Sequence, residues 1–166
     1  LQGKYIAEYA VNRLGLRRFV VLHPLEEFGF ELRAFFVKEV ESLGGEVISV
    51  ISYERSQTDF KKQIHEMGGI DDDNLRKLVK DQVKNNIEAK SLGQNGPISR
   101  ALVEMGLWSG DEVQNLKVSL ELSYDAIFLP GFYDKVGLIV PQLVFYNIDN
   151  ATLLGASGWN SPELTK

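Results

Sequence analysis

The chain has 166 residues, 44% of them hydrophobic and 25% charged, with a formal net charge of -5 at pH 7 and no cysteine. That length suits one domain with a full core, burying roughly 70% of the surface the unfolded chain exposes, and the composition lacks the signature of disorder. The acidic balance argues against nucleic acid, and the missing cysteines exclude disulfides, thiol nucleophiles and thiolate metal sites.

The N-terminal Leu1-Gln-Gly-Lys-Tyr5 lacks the charged-then-apolar order of a signal peptide, and its first residue is not Met, so a processed or trimmed chain is expected. Residues 3–14 place Ile6, Tyr9, Ala10 and Leu14 at helical spacing, with Gly15 where a helix would end. Arg17–Leu22 is a short apolar run of the kind buried on both faces of a parallel sheet. It is expected to stop at His23-Pro24, because proline cannot donate to the ladder. From Glu26 to Leu43 the positions Phe28, Leu32, Phe35, Phe36, Val40 and Leu43 keep a helical period, with acidic residues at the start and Gly44-Gly45 at the end. Glu46–Tyr53 is the next strand, and Thr58-Asp-Phe60 opens a helix running to Met67, closed by Gly68-Gly69.

Ile70–Ser123 interrupts the rhythm. Leu75, Leu78, Val79, Val83 and Ile87 form an amphipathic stripe behind Asp71-Asp-Asp-Asn74. Gly93–Pro97 is a loop leading into a helix over Ile98–Met105, and Ser109–Glu112 has capping-box spacing before another. The stretch from about 70 to 123 reads as a helical insertion in a single α/β lobe spanning 1–166. The rhythm resumes with a strand at Tyr124–Leu129, a helix at Tyr133–Tyr146 that Pro141 should kink or restart, and a strand at Ala151–Leu154. Strands alternating with helices predict a three-layer α/β fold, a parallel sheet with helices on both faces. No apolar stretch approaches the roughly 18 residues of a membrane helix.

Three loops follow β-type runs: His23–Phe30, Pro130–Gly137 and Leu154–Leu164. In a parallel sheet they gather at one edge, where open α/β folds bind ligands. They supply a row of aromatic and small polar groups, His23 and Phe28, Phe132 and Tyr133, Ser157 and Trp159, that suits a small organic ligand. The competing reading is that Phe28 and Phe132 merely staple helix N-termini to the core. Catalytic readings fail one by one. The glycines at 29 and 44–45 fit neither the dinucleotide fingerprint nor a phosphate loop. The first strand ends in His23-Pro24 and not in Mg²⁺-binding carboxylates, and Gly155-Ala-Ser-Gly158 is one residue short of a nucleophile elbow. Asp71-Asp-Asp73 lacks calcium-loop spacing and reads as a helix cap. No catalytic residue, metal or cofactor is expected.

As a set, these segments resemble the type I periplasmic solute-binding proteins of ABC transporters, in the branched-chain amino acid and amide branch. The resemblance rests on Arg17–Leu22 with Glu27-Phe-Gly-Phe30, on Gly44–Val47 with Tyr53 and Thr58-Asp-Phe60, on Tyr124–Phe128 with Gly131-Phe-Tyr133, and on Leu154-Gly155 with Trp159–Leu164. It covers residues 1–67 and 124–166 and only the family's second lobe. It implies a non-enzymatic, periplasmic or extracellular ligand-binding lobe, possible lipid anchoring upstream, a first lobe as partner, and docking to a permease. It places Phe28 and either Phe132 or Tyr133 against a small polar solute. Ser157 stands where amino-acid receptors carry a glutamate for the ligand ammonium, which puts an α-amino acid in doubt. Val136–Leu143 and the insertion look more like the lipoprotein activators of penicillin-binding proteins, which would make 71–123 a surface for a peptidoglycan synthase. A receptor's sensory domain is the third reading.

Overall fold

Four strands, β1 (Arg18–Pro24), β2 (Glu46–Tyr53), β3 (Ala126–Leu129) and β4 (Thr152–Gly155), form one sheet in the order β2-β1-β3-β4, every neighbouring pair parallel. The computed structural model describes residues 1–78, 80–81 and 122–160. Its contacts divide the chain into two compact units, Leu1–Gly69 with Leu120–Lys166, and Ile70–Ser119. Among its described residues the first unit holds the sheet and five helical segments. These are α1 (Gln2–Glu8), continued as a π-helical stretch over Tyr9–Arg13, then α2 (Glu27–Ser42), α3 (Lys61–Glu66), α4 (Tyr133–Phe145) and a 3₁₀ turn at Ser157–Trp159.

Strand alternation splits the core in two. Phe19, Val21, Ala126 and Phe128 pack with Ala7, Ala10, Leu32, Phe36 and Val40 of α1 and α2. Val20, Leu22, Ile127 and Leu129 pack with Ile64, Ile139 and Leu143 of α3 and α4. This is the expected sheet with helices on both faces. At its lower edge the Asp125 carboxylate accepts the N–H groups of Arg17 and Arg18, each at 2.9 Å, and those bonds hold its pKa below the usual value. The buried Tyr124 hydroxyl donates to the Met67 carbonyl at 2.8 Å, and burial pushes its pKa up to about 12.

Glycine closes the helices as its position in the sequence suggests. Gly44 has φ +79° at the end of α2, with Gly45 N–H bonded to Val40 O at 2.9 Å and Gly44 N–H to Glu41 O at 3.1 Å, the paired bonds of a Schellman cap. Gly68-Gly69 repeats this pattern after α3. Asn147, with φ 64°, does so after α4, where no glycine announced it.

Three expectations need correction. β1 runs through Pro24 instead of stopping before it. Leu25 N–H bonds Tyr53 O at 2.9 Å, so odd-numbered residues there face β2, and the missing Pro24 N–H points to the other side, where pairing with β3 has already ended at Val21. α3 begins at Lys61, three residues after Thr58, because the Asp59 carboxylate accepts Lys61 N–H at 2.8 Å and holds the preceding residues outside the helix. Of the two effects expected at Pro141, a restart does not occur: the helix runs unbroken from Tyr133 to Phe145. The next residue anchors it: Gln142 Oε1 accepts Phe60 N–H and Gln142 Nε2 donates to Thr58 O, both at 2.8 Å.

In the second unit residues 72–78 are helical, and Asp71 Oδ1 accepts Asn74 N–H at 2.9 Å, a cap on that helix. The helices expected at 98–105 and after 109, and the stripe beyond Leu78, lie outside the described residues. Among the described residues no helix is long and apolar enough to cross a membrane.

Candidate functional site

All four strands are parallel, so the loops leaving them emerge at one edge. There the N-terminus of α2 brings Phe28 onto Phe132, the residue preceding α4. The rings stack with centroids 5.1 Å apart and planes 19° apart. Phe28 is half-buried against the α1–α2 core, while Phe132 is 38% exposed. Arg55, in the loop after β2, places its guanidinium carbon 5.6 Å from the Phe132 ring centre. Its Nη1 donates to Glu26 Oε1 at 2.8 Å and Oε2 at 3.2 Å, joining the loops after β1 and β2. The bond and the negative field of Glu26 raise the Arg55 pKa further. Pro24, Glu26, Tyr53, Arg55, Phe132, Asp134 and Lys135 line a shallow depression open to solvent. Tyr53 sits beneath Gly131, where a Cβ would come 2.6 Å from the phenol oxygen. Burial first, then the charges of Asp134 and Glu26, push the Tyr53 pKa well above the ordinary tyrosine value. Lys135 Nζ donates to Gln57 O at 2.9 Å.

The other expected residues divide. Trp159 lies face-on over Gly155, whose hydrogen leaves the room the indole takes, and its Nε1–H donates to Leu129 O at 3.0 Å. Gly158 packs on the Gly131 carbonyl at a spacing a side chain would fill. The loops after β3 and β4 are thereby tied together. The Ser157 hydroxyl donates to Gln2 Oε1 at 3.0 Å, an engagement with α1 and not with the aromatic pair. Tyr133 is 41% exposed at the start of α4.

His23 departs from the expected surface row. It is 1% exposed, and its Nδ1 lies 2.9 Å from the Pro24 carbonyl while Nε2 lies 3.5 Å from Arg33 Nη1. A carbonyl only accepts and a guanidinium only donates, so the ring is the neutral Nδ1–H tautomer. Burial lowers its pKa, the Pro24 bond opposes this, and Arg33 lowers it further. A histidine whose folded pKa is depressed stabilises the fold fully above its unfolded value of about 6.5, and loses that contribution as pH falls below it. Between pH 7.5 and 5.5, a window that spares most carboxylates, the melting temperature should therefore drop more for the native chain than for His23→Phe. Equal drops would show that His23 titrates normally.

Sequence reasoning missed Glu26, Tyr53, Arg55, Asp134 and Lys135. The signal was present for Arg55: it follows an apolar β-run as the three chosen loops do, and only the strand order shows that its loop adjoins β1. Among the described residues no group of three or more His, Asp or Glu is placed to hold a metal. What the arrangement offers is a stacked aromatic pair, two carboxylates and two cations around a small depression, the equipment of a binding site.

Solved structures share this architecture. The branched-chain amino acid transporter substrate-binding protein LivJ from Streptococcus pneumoniae, in complex with isoleucine, matches at 20% identity and a TM-score of 0.58, over 99% of this chain and 31% of its own. A solute-binding protein of an ABC transporter from R. palustris, in complex with benzoate, matches at 12% identity and 0.58, over 97% and 30%. A periplasmic binding protein type 1 from Bordetella pertussis matches at 12% and 0.58, over 97% and 29%. The chain folds as one lobe of a type I periplasmic binding protein. The lobe spans about 30% of the length of these structures, and at such identities the likeness is one of fold. No protein-family model and no curated protein matches it.

Proposed function

We propose that this lobe is half of an extracytoplasmic solute-binding protein, closing with a second lobe around a small polar organic molecule and then docking to an ABC permease. The observation that supports this reading most is the Phe28–Phe132 stack with its charged rim, built from three loops at the ligand-bearing edge of a parallel sheet. The role is binding without catalysis, on the outer side of a bacterial membrane. Closure shifts populations only through contacts made to both lobes, so the residues at this edge are the ones that would carry the coupling. His23, buried beneath it, supports the site and does not touch the solute. Phe28, Phe132, Tyr133 and Trp159 are the aromatic contacts proposed, with Ser157 as a hydroxyl at the rim.

A thermal-shift panel of amino acids, amides and small carboxylates on the protein containing both lobes tests this. A solute at about 100 times its Kd adds roughly 2.7 kcal/mol of stability. Tyr133→Ala, at an exposed position, should remove most of that gain and leave the unliganded melting temperature nearly unchanged, and Phe132→Ala should remove it while also costing about 1–2 kcal/mol of unliganded stability through the lost Phe28 stack and Arg55 contact. Full shifts in both variants would place the solute elsewhere. Silence across the panel from a folded protein would favour the synthase-activator reading, whose surface at 71–123 falls largely on residues 82–121, outside those described.

A further inference from the structure

At the upper edge of the sheet a cation supplied by the chain itself already sits on an aromatic ring. The Arg55 guanidinium lies over Phe132 and is gripped through Nη1 by both oxygens of Glu26, while Phe28 backs the same ring from the other loop. Asp134 lines the same depression, and its charge and that of Glu26 both reach the Tyr53 phenol. Tyr53 is 2% exposed and forms the floor of the same depression.

We propose that this depression is a site for a small organic cation, an alkylammonium or guanidinium, in which Arg55 is the resident occupant and gives way to the ligand. The proposal rests on the solute-binding reading above and names the ligand class of that same site. The charges favour it. With Arg55 swung out, Glu26 and Asp134 face the single ammonium of Lys135, which is already committed to the Gln57 carbonyl. One negative charge is left uncompensated, and a monocation restores the balance while its face meets Phe132. The exchange is structurally open, because the Arg55 side chain is 63% exposed and two residues past the end of β2. An anion reverses the requirement: it meets two carboxylates and needs Arg55 in place. Cation and anion therefore predict opposite effects of removing that one side chain.

The test is an NMR titration of this chain, following the backbone amides of Phe132, Asp134 and Lys135. The probes are tetramethylammonium chloride, sodium benzoate and isoleucine, each against sodium chloride at equal ionic strength. Tetramethylammonium should give saturable shifts. They should tighten roughly five- to tenfold in Arg55→Gln, the scale of one cation–π contact and one exposed ion pair released, and weaken by a similar factor in Phe132→Leu. Shifts indistinguishable from those of sodium chloride, or weaker tetramethylammonium binding in Arg55→Gln, overturn the cation assignment. In that event the solute-binding reading stands or falls separately, on the thermal-shift panel with the protein containing both lobes, where shifts from benzoate or isoleucine would preserve it and silence would remove it.

Discussion

Phe36→Ala is expected to cost about 3–5 kcal/mol of folding stability, a third or more of what a domain of this size typically has. Phe36 is completely buried on α2 and meets two aromatic partners from different strands. Its ring stands edge-on to Phe19 of β1, with centroids 5.5 Å apart and planes at 83°, and stacks on Phe128 of β3 at 4.2 Å and 21°. One side chain thus fastens the longest helix of the first unit to the two central strands. Aromatic pairs add about 0.5–1.5 kcal/mol each beyond the area they bury, and the void left by truncation would be walled by rings on a hydrogen-bonded sheet that cannot close over it. Phe36→Leu keeps most of the volume but loses both ring pairs, and should cost about 1–3 kcal/mol, less than the alanine variant. Urea unfolding with unchanged m-values measures both. A loss below about 1.5 kcal/mol for the alanine variant would mean that α2 does not pack on β1 and β3 as described.

That packing shows where the sequence speaks and where it falls silent. Leu32, Phe36 and Val40 keep the period of one helix face, and Gly44-Gly45 closes it, so the existence and extent of α2 follow from local spacing. The partners of Phe36 do not, because Phe128 lies 92 residues away and its alignment depends on strand order. The same gap explains the site. Phe28 and Phe132 could be picked out individually, as aromatics just beyond apolar runs. That they stack on each other required knowing that β1 and β3 are neighbours. Glu26 was read only as an acidic residue at a helix start, a local role. Its Arg55 partner, 29 residues on, comes from the loop after β2, and ion pairs between loops leave no periodic trace. His23 was assigned to the surface because proline follows it, but the ladder continues through Pro24 on one side and carries His23 inside.

Gly29→Ala should destabilise the lobe by roughly 1–2 kcal/mol and separate Phe28 from Phe132, although helix propensity alone argues for the opposite sign. Alanine in a helix is favoured over glycine by about 0.8–1.0 kcal/mol, so at an open position the change would stabilise. Here a Cβ would run into the Pro24 carbonyl oxygen and come within 2.9–3.0 Å of the proline ring. Overpacking of this kind costs about 1–3 kcal/mol, and it falls toward the upper end when the obstacle is backbone. Pro24 cannot yield cheaply. Its carbonyl accepts His23 Nδ1–H at 2.9 Å, and the ladder is carried on by Leu25 N–H to Tyr53 O, also at 2.9 Å. The first turn of α2 must lift instead, taking Phe28 from the Phe132 ring and Arg33 from His23. Thermal unfolding reads the first effect, and the nuclear Overhauser contact between the two phenylalanine rings reads the second. A more stable variant with that contact intact would show that α2 does not rest on Pro24, and with it the seating of the aromatic pair would have to be abandoned.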